Sequence, residues 1–194
     1  MSPRTNEQYE KIRSEKRKLI MKVALEAFAE LTFQGTTIGI IAERAKISKG
    51  LMYNYFKSKE ALLKAIIIES IHDVWQFFDP NHDGILTKEE FFFFMNKSIQ
   101  VVKENPDYWK LYSSLMFQPD ILEMVKSDFD DLSVQYNKMA YDLFVRSKIK
   151  DPEAEILLFG AMLRGAIVQY AAMKDSYPID KFTEAITNYY KKLF

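Results

Sequence analysis

The sequence predicts an all-α chain: an N-terminal three-helix head carrying a helix-turn-helix, joined to a larger helical body, about nine helices in all. Three observations predict it. Only six glycines and six prolines punctuate 194 residues. Between them, apolar residues recur at the three- and four-residue spacing of a helix face. Helix-start residues (Ser, Thr, Asp, Pro) stand where those periodic stretches begin.

The elements follow in order. A first helix is predicted from about Asn6 to Leu31, with Leu19, Ile20, Val23, Ala24, Ala27, Phe28 and Leu31 on one face. Its early turns, up to about Arg17, are charged and solvated. The stretch 37–59, TIGIIAERAKISKGLMYNYFKSK, reads as a short helix, a tight turn, a second short helix and the start of another. Thr37 and Ser48 are suited to cap the two short helices through their hydroxyls. Ile38, Ile41, Ala42, Ala45, Ile47, Met52 and Phe56 can form one small core, with Ile47 plugging the turn. The fourth helix runs from about Ser58 to Phe77, and a loop covers Phe78 to Leu86. The fifth helix spans Thr87 to about Glu104. Pro106 and Pro119 bracket a short helix, and a long one follows from about Asp120 to Arg146. Asp151-Pro152-Glu153 opens a helix to about Met173, since proline is welcome in a first turn. Pro178 starts the last, which ends near Lys192.

The block from Lys18 to Leu63 resembles the DNA-binding module of the TetR family of bacterial regulators. The resemblance rests on Ala24, Ala27 and Phe28, on Thr36-Thr37-Ile38 and Ile41-Ala42, on Ser48-Lys49-Gly50, Tyr53 and Tyr55-Phe56, and on Ser58-Lys59-Glu60 with Leu62. Three positions depart from the family pattern. Thr32 stands where a glycine usually ends the first helix, so another cap is needed there. Ile40 stands where an acidic residue usually completes a capping box with Thr37. Lys46 replaces the glycine of the turn, and a left-handed backbone there costs about 1 kcal/mol.

The resemblance implies domains at 1–63, for DNA binding, and 64–194, for ligand binding and dimerisation. It implies a homodimer on a palindromic operator, acting as a repressor that a small apolar ligand releases. The DNA contacts it implies are Thr37, Ser48, Lys49, Gly50, Leu51, Tyr53, Asn54, Tyr55 and Lys59. Thr37, Lys49, Tyr53, Tyr55 and Lys59 would meet phosphates, while Leu51 and Asn54 would read base edges.

Composition agrees with such a protein and excludes several others. There is no cysteine, so disulfides and thiolate chemistry are absent. Two histidines, His72 and His82, make no metal cluster. No nucleophile–base pair or phosphate loop suggests an enzyme, and no cofactor is required. No apolar run approaches the about 20 residues that span a bilayer, and the N-terminus is polar, so a cytoplasmic protein without a membrane partner is expected. The formal charge is zero, but unevenly placed. Residues 1–64 hold 13 basic and 7 acidic groups, and the remainder holds 14 and 20. A basic head on an acidic body suits a head that docks on phosphates.

Asp79 to Glu90, DPNHDGILTKEE, fits the twelve-residue EF-hand pattern. Asp79, Asn81, Asp83, the Ile85 carbonyl, Thr87 and Glu90 would be the oxygen ligands, with Gly84 at the sharp turn. The same residues also make an ordinary turn and a capping box, so the loop reads either as a weak calcium site or as a capped helix start. A calcium-responsive sensor or interaction protein is the alternative function. In the body, Trp109, Tyr112, Met116, Phe144 and Met162 are candidates to line a pocket for an effector of unknown identity. Gly160, Ala161, Gly165, Ala166, Ala171 and Ala172 let another helix approach closely, which points to a dimer interface along 152–173 and 178–192.

Overall fold

The computed structural model describes residues 6–194. Among them it contains nine α-helices, one 3-10 turn and no strand. The helices are α1 (Asn6–Gly35), α2 (Ile38–Arg44), α3 (Lys49–Tyr55), α4 (Lys59–Trp75), α5 (Lys88–Glu104), α6 (Pro106–Met116), α7 (Pro119–Arg146), α8 (Pro152–Met173) and α9 (Ile179–Leu193), with the turn at Lys174–Ser176. Proline opens α6, α7 and α8 from inside the first turn, where its missing N–H has no helical partner to lose.

Two apolar clusters hold the chain. The head cluster joins Ile20, Ala24 and Phe28 of α1 to Ile41 and Ala42 of α2, Met52 of α3, and Leu62, Leu63 and Ile66 of α4. It continues into the body through Leu115, Ile121 and Val125. The division at residue 63 therefore falls inside α4, which serves both halves. The first helix turns its face differently from the simplest reading. Leu19 and Leu31 are exposed, while Met21 and Leu25 are buried. The body cluster centres on Phe91, whose ring lies 4.6 Å from Phe159, 4.8 Å from Tyr190 and 5.2 Å from Phe194. Full burial of one such ring contributes about 2–3 kcal/mol.

The end of α1 answers the missing glycine. Thr32 adopts φ 63°, ψ 165°, a conformation that ordinarily belongs to glycine. The Thr36 hydroxyl, fully buried, reaches the carbonyls of Thr32 (2.7 Å) and Ala27 (3.0 Å). Lys59 Nζ donates to the carbonyls of Phe33 (2.7 Å) and Thr36 (2.9 Å). Gln118 of the body accepts from Phe33 N–H and donates to Phe28 O. Five carbonyls at and around the end of α1 thereby accept from side chains.

Lys46 ends α2 at φ 53°. The N–H of Lys46 bonds Glu43 O (3.0 Å), and that of Ile47 bonds Ala42 O (2.9 Å). This is the paired closure of a Schellman motif, with Lys46 in the place that glycine usually takes. The end of α7 repeats it with Lys148 at φ 58° and Ile149 bonded to Phe144 O (3.0 Å). In both, an isoleucine after the lysine folds back onto apolar neighbours.

The helix α8 corrects the expectation about membrane-length apolar segments. Pro152–Ser176 is long and apolar enough to cross a bilayer, with mean hydropathy 1.6, and only 28% of the window is buried in the chain. Its burial is one-sided. Glu155, Phe159, Leu163, Ala166, Tyr170 and Ala171 face the body, while Leu157, Leu158, Ala161, Ala172 and Met173 are exposed. Arg164 lies midway along the exposed face. An apolar stripe with a charge in its middle suits a partner helix better than lipid on all sides.

Candidate nucleic-acid interface

The site is built by two short helices and the turn between them. Thr37 caps α2 by accepting from Ile40 N–H (3.2 Å), with no acidic partner completing a box. Ser48 caps α3 by accepting from Leu51 N–H (3.1 Å). Both hydroxyls keep their own proton free to donate outward. Met52 and Phe56 anchor α3 in the head cluster. With that face buried, the opposite face must look outward. Ser48, Lys49, Gly50, Leu51, Tyr53 and Asn54 are all exposed there, Tyr53 by 54%.

Gly39 is a position that the sequence reading did not single out. A Cβ built on it would stand 2.8 Å from Lys49 Cε and 3.5 Å from Thr37 Oγ1. The Lys49 stem therefore packs over Gly39 of α2. The signal was a glycine inside an otherwise apolar helical run, where no turn calls for one. Lys46 and Lys57 add exposed positive charge at the two ends of α3. Arg44 pairs with Glu30 (2.8 Å).

Two of the expected contacts are placed otherwise. Lys59 gives its ammonium to Phe33 O and Thr36 O and covers the Phe33 ring at 4.2 Å. It fixes the end of α1 rather than reaching outward. Tyr55 is half-buried and packs on the head cluster.

The pocket residues do not gather. Phe144 is fully buried and stacks parallel to Tyr190 at 6.3 Å. Trp109 is buried edge-on to Tyr112 (5.3 Å). Met116 packs on the head cluster and Met162 on the body cluster. Phe144 and Trp109 thus pack ring against ring with their neighbours. Burial pushes the Tyr112 hydroxyl well above the usual range. The same holds for Tyr190, which donates to Glu155 (2.7 Å), a buried carboxylate that ties α9 to α8. Open clefts occur elsewhere. One of about 330 Å³ lies between Ile99, Lys103 and Asp180 on α5 and α9.

The loop at 79–90 forms the capped start foreseen for α5. Thr87 accepts from Glu90 N–H (3.2 Å), and Glu90 accepts from Thr87 N–H (2.9 Å). Glu90 is thereby turned to Thr87, and among the described residues no three acidic or histidine side chains converge on one point. The expected ligands are thus not assembled in this conformation.

The comparisons with known proteins agree with this geometry. The family profile described as "Bacterial regulatory proteins, tetR family" matches residues 20–66. The helix-turn-helix-type transcriptional regulator YuxN of Bacillus subtilis is 49% identical over 53 residues, 27% of this chain and 18% of its own length. The matched stretch is thus a small part of that relative. Two solved structures share the whole architecture. NalD of Pseudomonas aeruginosa, the secondary repressor of the MexAB-OprM multidrug efflux pump, aligns with TM-score 0.68 and 16% identity over 90% of this chain and 94% of its own. FadR of Bacillus subtilis, in complex with stearoyl-CoA, aligns with TM-score 0.67 and 13% identity over 87% and 94%. At these identities the structures establish the fold. The head, matched in sequence over residues 20–66 and built as described, carries the DNA-binding module of the tetR family of bacterial regulatory proteins.

Proposed function

We propose that the protein is a homodimeric transcriptional repressor that reads a palindromic operator through α3 and leaves it when the body takes a small apolar ligand. The outer face of α3 carries the reading: six consecutive or near-consecutive exposed residues, backed by Met52 and Phe56 in the core. A single α3 contacts too few base pairs for an operator, so a two-fold pair is required. The uncovered apolar stripe of α8, with open space beside Gly160 and Gly165, supplies a surface for that pairing. Cytoplasmic residence follows from this role.

The ligand reading draws on FadR, whose structure holds stearoyl-CoA. In this chain the packed rings around Phe91 and Trp109 must part to admit an apolar guest. Such parting is the kind of change that ligand binding can select.

Selection of bound sequences from random DNA tests the proposal. Wild type should enrich a palindrome. Asn54→Ala and Leu51→Ala should relax preference at one position per half-site, each by about 1–3 kcal/mol of discrimination. Lys49→Ala should weaken all sequences alike and lower the salt slope by about one. A monomer that enriches a lone half-site overturns the dimeric part. Operator affinity unmoved by acyl-CoAs and other apolar molecules overturns the ligand part.

A further inference from the structure

We propose that the loop Asp79–Glu90 is a calcium site, distinct from the DNA-reading function of the head. The observation that points to an ion is Asp79. Its carboxylate is 8% exposed, and Oδ1 is shut off from solvent with no hydrogen-bond partner. Among the described residues, no lysine, arginine or histidine pairs with it. Buried carboxylates are ordinarily paired or bound to a metal.

The other oxygen shows which way the group faces. Asp79 Oδ2 accepts from Gly84 N–H across the loop (3.1 Å). That bond turns the carboxylate into the ring of the loop, where a cation would sit. The next two candidate ligands bend the same way. Asn81 Oδ1 accepts from Asp83 N–H (3.1 Å), and Asp83 Oδ1 accepts from Ile85 N–H (2.8 Å). Gly84 stands at φ 76°, the left-handed position that the sharp turn requires.

The loop is held at both ends by bonds that need no ion. Leu86 is fully buried in the body cluster, and its carbonyl accepts from Arg146 at the end of α7 (2.7 Å). Before the loop, the rings of Phe78 and Tyr136 pack at 5.3 Å.

Two ligands must turn to close a shell: the Glu90 carboxylate is bonded to Thr87, and Asp83 Oδ2 accepts from the Asn81 amide (3.1 Å). Turning Glu90 inward leaves the Thr87 hydroxyl still accepting from Glu90 N–H, so α5 remains capped. The donor set is then all oxygen, with one bidentate carboxylate. That suits the flexible, high-numbered shell of calcium over the strict octahedron of magnesium, and it lacks the nitrogen and sulfur that zinc prefers. With no paired second loop to stiffen it, the expected dissociation constant is about 10⁻⁴ M.

Calorimetric titration of the metal-stripped full chain with calcium chloride tests this, with magnesium chloride as control. One ion per chain should bind, and calcium should raise the thermal midpoint. Glu90→Gln preserves the capping box and should weaken binding about tenfold or more. Asp83→Ala, at an exposed position, should do the same. Asp79→Asn should abolish binding while raising the midpoint in calcium-free buffer, because it removes an unpartnered buried charge. No heat and no midpoint change at about 5 mM calcium overturns the proposal. So does binding that Glu90→Gln and Asp83→Ala leave unchanged.

Discussion

In the head, α3 turns Met52 inward and leaves Lys49, Tyr53 and Asn54 outside. In the body, α8 turns Phe159, Leu163 and Tyr170 inward and leaves Leu157, Leu158 and Met173 outside. Both helices are amphipathic in the sense that one face is covered and the other is not. They differ in what the uncovered face is made of. Donors and a cation suit a wet, anionic partner such as a duplex. Leucines beside glycines with open space suit a dry partner that fits closely. The supporting structure differs in step. In the head, the short α2 and α3 and the end of α1 are fixed by caps, hydroxyls and two non-glycine residues at positive φ. The body is long helices around interlocked rings. The head's architecture holds a polar surface in one orientation, while the body fills its interior and leaves apolar surface over.

The sharpest way to break this comparison is a charge on the apolar face. Gly165→Glu adds a side chain at a position whose Cβ would meet no packed neighbour within 4 Å, so the protomer should fold normally. Sedimentation should show monomers at micromolar concentration, and operator affinity should fall by about a hundredfold or more as two linked half-site contacts become one. Retention of the dimer would mean that the α8 stripe is covered by something other than its own copy.

A second substitution separates structure from recognition within the head. Lys59 was legible in the sequence as a cation beside the recognition helix. What could not be read was that the end of α1, lacking its glycine, would need that ammonium for Phe33 O and Thr36 O. Removing a charged donor of two carbonyls costs about 2 kcal/mol. Lys59→Ala should therefore lower stability by that amount in DNA-free protein, read from urea midpoints. Unchanged stability with weakened DNA binding would return Lys59 to the phosphate-contact role.

The same comparison explains which features the sequence disclosed. Helix starts were legible because their signals are local: Thr37, Ser48, Thr87 and Asp151 each cap the helix that follows by accepting from an N–H three residues on. The α3 surface was legible because a seven-residue helix with Met52 inward leaves little freedom for the rest. The pocket was not. Trp109, Tyr112, Met116, Phe144 and Met162 are large and adaptable, but whether such groups line a space or fill it depends on neighbours distant in sequence. Around Phe91, the rings of Phe159, Tyr190 and Phe194 pack within 5.2 Å, a set no local pattern in the sequence brings together. Glu155 escaped notice for the same reason, since its partners Tyr189 and Tyr190 are 34 and 35 residues away.

The smallest effect concerns the two turns of the head, which look alike in sequence and differ in backbone. Thr32 and Lys46 both replace glycine at positive φ. Lys46 sits in a Schellman closure, where a left-handed side-chain residue costs about 1 kcal/mol. Glycine would relieve that, but it would also loosen the unfolded chain by a similar amount. Lys46→Gly should thus leave the thermal midpoint nearly unchanged. Thr32, at ψ 165°, is in a region that disfavours any Cβ by about 1–3 kcal/mol. Its hydroxyl returns only a long bond from Gly35 N–H (3.3 Å), while its carbonyl, which Thr36 uses, survives the substitution. Thr32→Gly should therefore stabilise the protein by about 1 kcal/mol, or about 3 °C for a chain of this size. Equal responses at the two positions would show that the strain at Thr32 is already relieved by the bonds that Thr36, Lys59 and Gln118 make to the end of α1.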